Sequence, residues 1–206
     1  MRTIQLVIIS LFTSISVFAQ STLPIKTGNY EETVDLSYDK GKGIISGVIA
    51  RSNHDNPNGP RISCSMRFVS LPQVKTAGAN KYPVRFYNEG DTAEVGKGYL
   101  EVTKNGITIK YNGVFTSCQN IMPLDEETGL GFEFSSARAF ISASVIGSAK
   151  APIYKTAVDS TKSKMYLVKG NFVSVASITD SWVSFEYMTL SGKRIKGWLK
   201  KEDVAL

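Results

Sequence analysis

The chain has 206 residues, 42% of them hydrophobic and 20% charged, with a formal net charge of +6 and a single histidine. This composition excludes a disordered chain, and the length suits two small domains. His54 is the only histidine and sits in a loop-like run, so no metal ligand set is expected and no cofactor is implied.

The N-terminus, "MRTIQLVIISLFTSISVFAQ", sets the compartment. Arg2 precedes an apolar run from Leu6 to Phe18, with small residues Val17 and Ala19 before Gln20. This is the pattern of a secretory signal peptide over residues 1–19, and the apolar run is too short for a membrane span. No cysteine stands at the cleavage point, which argues against a lipoprotein. The mature chain is therefore expected to be periplasmic or secreted, with no membrane span. Outside the cytoplasm a basic surface more often meets anionic envelope polymer or an acidic protein than nucleic acid, the alternative being that the charge serves solubility alone. In an oxidising compartment Cys64 and Cys118, the only two cysteines, are expected to form one disulfide. Closing that loop stabilises by roughly 4 kcal/mol in the chain-entropy account.

From residue 28 onward the pattern is all-β. Short runs rich in Val, Ile, Tyr and Phe are separated by Gly, Asn, Asp and Pro clusters, and no long segment repeats at helical spacing. "NYEETVDLSY" alternates Val34, Leu36 and Tyr38 against polar neighbours, and "GIISGVIAR" follows. After the loop "NHDNPNGP", "RISCSMRFVSL" alternates Ile62, Cys64, Met66 and Phe68, which points Cys64 into the core. "YPVRFYN", "KGYLEVT", "GITIKYN", "LGFEF" and "AFISASVIG" complete about eight strands by residue 147. Asn105-Gly106 reads as a type I′ hairpin turn. So many short strands must close or stack to cover their edges, which predicts an antiparallel β-barrel or sandwich over residues 20–147. "KTGNY", with Gly28 and Tyr30, resembles the first strand of lipocalin-like barrels over a handful of residues.

"SAKAP" at 148–152 reads as a boundary, and residues 148–206 carry their own turn punctuation. Four pieces follow in order: "APIYKTA", "YLVKGNFVSV" with Lys169-Gly170 at its turn, the Trp-led "SWVSFEY", and "GKRIKGWLKKEDV". In this order the segment resembles the bacterial SH3 (Src-homology-3-like) domain along nearly its whole length, which implies a small barrel. Alternation in "WVSFEY" places Val183, Phe185 and Tyr187 on the core side and Trp182 outward. Tyr187 and Trp198 are read first as core packing, Tyr154 and Trp182 as groove aromatics. A barrel this small needs large rings to fill it. In the family that the segment resembles, the same barrels display aromatics along a groove for peptides or cell-wall fragments. Lys155, Lys162, Lys164, Lys193, Arg194 and Lys196 lie in or beside the turns that would rim it. The candidate ligand-binding set is Tyr154, Trp182, Tyr187, Trp198, Lys193 and Arg194.

Catalytic signatures are missing. Cys/His and Ser/His/Asp chemistry would both need His54 as base, and there is no Gly-x-Ser-x-Gly elbow. Asp125, Glu126 and Glu127 in "LDEETG" read as solvated loop acids. The expectation is a non-enzymatic exported envelope protein that binds a peptide or peptidoglycan fragment. The alternative is a periplasmic inhibitor or immunity protein that blocks a cell-wall-degrading enzyme or toxin. A third reading, a small-ligand carrier, requires an open interior in the first domain.

Overall fold

The computed structural model describes residues 23–52, 63–72, 80–90, 93–113, 118, 121, 122, 124, 127–189 and 191–206. The segment 1–19, expected to be a leader, and His54, Asp125 and Glu126 lie outside the described residues. The chain is all-β. Strands β1 (Gly28–Tyr30), β2 (Val34–Asp39), β3 (Ile44–Ser52), β4 (Ser63–Ser70), β5 (Lys81–Asn88), β6 (Glu94–Val102), β7 (Gly106–Tyr111) and β8 (Leu130–Ala137) run in order around a closed antiparallel barrel. β8 returns to pair with β1 and removes the sheet edges.

Strand alternation sends Leu36, Ile45, Ile49, Met66, Phe68 and Phe86 into the barrel, where each is fully buried. Met122 and Leu124 join the same core. Among the described residues the interior is filled by side chains, as an eight-stranded barrel can be, and they leave no open interior of the kind that a small-ligand carrier needs. The disulfide is present: Cys64 and Cys118 are bonded, with Cα atoms 5.4 Å apart and a sequence separation of 54. Cys64 lies in the barrel core, where the alternation of β4 places it.

Three expectations about the barrel are corrected. The run "NYEETVDLSY" is two strands, because the chain reverses at Glu31 and Glu32, whose φ values are 46° and 54°. The strand in "AFISASVIG" pairs elsewhere, so the eight barrel strands are not the eight read from the sequence. The β6–β7 hairpin does form, but not through a type I′ turn: neither Asn105 nor Gly106 has a positive φ. Instead the Thr103 N–H donates to the Gly106 carbonyl at 2.9 Å, and the Gly106 N–H donates to Thr103 Oγ1 at 3.0 Å. Gly106 is needed for another reason, since a Cβ there would sit 2.0 Å from the Phe132 carbonyl oxygen of β8.

The remaining strands build a second, curled sheet. β9 (Ser142–Ile146), β10 (Lys150–Tyr154), β11 (Lys162–Val168), β12 (Phe172–Ile178), β13 (Trp182–Met188), β14 (Arg194–Lys200) and β15 (Val204–Ala205) stand in the order β11-β10-β14-β13-β12-β9-β15. β11 and β12 are consecutive but not paired: the chain turns at Lys169-Gly170 and passes from one edge to the β9 side. Its own core holds Ile153, Leu167, Val173, Val183, Phe185 and Leu199.

The second sheet packs on the outside of barrel strands β2 to β5. Val48, Ala143, Val145 and Phe172 form a small apolar cluster there, with Tyr87 against it. Ser46 Oγ accepts the Ala143 N–H at 2.9 Å, and Arg67 lies over the Tyr87 ring at 4.5 Å. Covered on both sides, β3 is buried without interruption from Ile45 to Ala50, as strands with both faces covered read in general. Gly170 marks the closest approach. Its φ is 90° and a Cβ would meet Gly90 Cα at 2.4 Å, while its carbonyl accepts the Gly90 N–H at 3.2 Å.

Candidate binding face

The face is fixed by register. β13 pairs with β14 through Trp182↔Lys200, Ser184↔Trp198, Glu186↔Lys196 and Met188↔Arg194, and Tyr154 stands opposite Trp198 and Lys162. Directly opposed residues in antiparallel strands share a face. Tyr154, Lys162, Trp182, Trp198, Lys196, Lys200, Glu186 and Arg194 therefore all lie on the side away from the sheet's core. The other side carries Val183, Phe185 and Leu199, with Tyr187 and Ile195 packed against them. Trp198, read as core, is thereby corrected: the register turns its indole to the outer face, where it is half-buried.

The outer face divides in two. One half is covered by the barrel. Arg194 extends two nitrogens to the Asp35 carboxylate, each at 2.9 Å, and a longer 3.5 Å contact to Glu186. Asp35 is 2% exposed, and Asn29 Nδ2 at 3.1 Å and Ser174 Oγ at 3.0 Å also donate to it. Lys196 closes the chain of charges at 2.7 Å from Glu186. Burial pulls the Arg194 guanidinium pKa down, but the Asp35 hydrogen bond and charge, with Glu186, hold it above its ordinary value. Nearby, Glu89 of the barrel accepts a 2.6 Å hydrogen bond from Asn171 and a long 3.4 Å one from the Tyr187 hydroxyl. Burial first, then the Glu89 charge, push the Tyr187 phenol up to about 12. Arg194 and Tyr187, both read as ligand-binding residues, are thus held in the junction between barrel and sheet.

The other half faces solvent. Tyr154 and Trp182 meet edge to face with centroids 4.9 Å apart and planes at 81°. The Lys200 ammonium sits 4.0 Å from the Trp182 ring centroid and 5.9 Å from that of Tyr154, a cation–π arrangement. Lys200 also reaches Asp159 Oδ1 at 2.6 Å, on a single 3-10 turn Asp159–Thr161 between β10 and β11. That hydrogen bond, against a smaller effect of burial, raises the Lys200 pKa. Lys193 is exposed in the β13–β14 turn, its N–H donating to Thr189 Oγ1 at 3.0 Å, and is not part of either half.

Of the six candidates, the structure brings Tyr154, Trp182 and Trp198 together on this second half, with Trp182 and Trp198 half-buried and Tyr154, at 7% exposed, buried beside them. Sequence reasoning missed Lys200 and Asp159. Lys200 was within reach, because in "RIKGWLK" it shares the parity of Trp198. Asp159 was not, because its partner lies 41 positions further along the chain. Two clefts sit elsewhere, at the barrel mouth. One of about 200 Å³ is lined by Leu23, Lys26, Tyr30, Lys104 and Phe134, the other borders it at Thr103 and Gly106. Among the described residues no group of three or more His, Cys, Asp or Glu is placed to hold a metal, and none of their helices is long and apolar enough to cross a membrane. No protein-family model, curated protein or solved structure matches the chain.

Proposed function

We propose that this is a non-enzymatic exported protein whose C-terminal sheet, an SH3-like barrel by its sequence resemblance, binds a peptide of the cell wall on the Tyr154–Trp182–Trp198 face. The observation that carries the reading is the solvent half of that face: two rings packed edge to face with a lysine ammonium laid over them. Half-buried rings such as Trp182 and Trp198, backed by the buried Tyr154, offer area to a ligand at little entropic cost, because rings have few rotamers to lose. The lysines around it, Lys162 opposite Tyr154 and Lys200 on Trp182, give the face the sign of charge that suits an anionic wall polymer. The bonded Cys64 and Cys118 offer no thiolate nucleophile, which fits a binding role.

Retention on purified sacculi tests the reading. The native protein is expected to sediment with them, and Trp182→Ala to lose most of that retention while keeping its melting temperature within a few degrees. Failure of the native protein to sediment would leave the inhibitor alternative, to be tested by inhibition of a cell-wall lytic enzyme.

A further inference from the structure

We infer that Lys200 is the receptor for a carboxylate of the bound peptide, and that Asp159 stands in for that carboxylate within the chain. The inference deepens the wall-binding reading and rests on it. Two members of the Lys200–Asp159 pair differ in how they are held. The Lys200 side chain is 25% exposed and its ammonium lies on the Trp182 and Tyr154 rings. Asp159 is 75% exposed, and no residue of its 3-10 turn is buried.

The turn does not need the Asp159 side chain. It is held by Thr161, whose hydroxyl donates its one proton to the Val158 carbonyl at 2.7 Å, with the Thr156 carbonyl as a second acceptor within reach at 3.0 Å, and by the Lys155 N–H to the Thr161 carbonyl at 3.1 Å. A rotation about the Asp159 side-chain bonds therefore frees the ammonium without moving backbone. Exposed ion pairs of this kind are weak, a factor of about two to five in an equilibrium. A ligand carboxylate displaces Asp159 at that small cost and gains a cation already positioned by two rings. Trp182 beside it offers apolar surface to the residue that bears the carboxylate. The chemistry selected is a carboxylate attached to a small apolar group, as at the free end of a peptide, rather than an amine, because the cation of the site is the fixed partner and the anion the replaceable one.

The test compares sacculi with the same sacculi after carbodiimide coupling of their carboxyl groups to ethanolamine. Native protein is expected to be retained at least about tenfold more strongly on untreated sacculi, the order of a charge-assisted hydrogen bond. Lys200→Met should bind both preparations weakly and equally, while Lys104→Met, which removes the same charge from the barrel, should behave as native. Asp159→Ala should bind untreated sacculi about two- to fivefold more tightly, a gain that misfolding cannot produce. Equal native retention on both preparations, a preference kept by Lys200→Met, or weaker binding by Asp159→Ala overturns the inference while the wall-binding reading stands. No retention on either preparation removes that reading and the inference with it.

Discussion

Glu31 and Glu32 sit side by side with φ of 46° and 54°, a conformation that costs ordinary residues about 1 kcal/mol or more each. The turn survives because its polar groups are satisfied: the Glu31 N–H reaches Ser135 Oγ at 2.8 Å, the Glu32 N–H reaches Asn29 Oδ1 at 3.1 Å, and the Glu133 N–H donates to Glu31 Oε1 at 3.0 Å. Glu32→Gly keeps those backbone bonds and relieves one strained residue, so denaturant melts should show a gain of about 1 kcal/mol. The reverse holds at Asp35, a buried carboxylate with three donors around it. Asp35→Ala leaves Arg194 facing the barrel with only its longer contact to Glu186 and is expected to cost about 3–5 kcal/mol. Lys193→Ala, in an exposed turn, should change stability by less than about 0.5 kcal/mol in the same melts.

The elements themselves were largely legible, for a simple physical reason: period-two alternation reports which side of a strand is wet. It placed Val34, Leu36, Cys64, Met66 and Phe68 inside the barrel, and Val183 and Phe185 in the second core, where they are. It failed where both sides of a strand are covered. Asp35 and Ser46 look like solvent residues in sequence, yet each is buried, because the second sheet lies over them and supplies partners from more than 90 residues away; Glu186 of that sheet is buried too, paired with Arg194 and Lys196. The turn at Asn105-Gly106 misled because a dipeptide that permits left-handed backbone does not require it. Tertiary contact decides, here the close approach of β8 to Gly106.

At the junction of barrel and sheet, Gly170→Ala meets both a left-handed φ and the backbone of Gly90. It should lower stability by about 1–3 kcal/mol, with Val168 and Asn171 amides among the first to gain hydrogen exchange. A pH dependence arises both at the junction, from Tyr187, and in the barrel, from Tyr30. The phenols of Tyr187 and Tyr30 are pushed up to about 12, chiefly by burial, whereas an unfolded tyrosine ionises near pH 10. The folded state therefore binds more protons in that window. Its advantage is intact below about pH 10 and is lost as pH rises toward about 12. Tyr187→Phe should flatten part of that decline in melts taken from pH 9 to 11.5.

For the whole molecule, the barrel is a filled, disulfide-tied body whose outer wall seats the sheet, and the sheet offers its aromatic half to solvent at the opposite end of the same face. One face of β13 and β14 thus serves two purposes: Arg194 and Glu186 lock it to the barrel, while Trp182 and Lys200 stay accessible. That accessible half is the proposed ligand site. With only two tryptophans in the chain, the indole N–H resonances report on it directly as soluble wall peptides are titrated in. The Trp182 and Trp198 indole signals are expected to move together with the Lys200 amide, while barrel-mouth amides at Lys26 and Lys104 stay still. Shifts confined to the barrel mouth, with both indoles unmoved, would contradict that assignment.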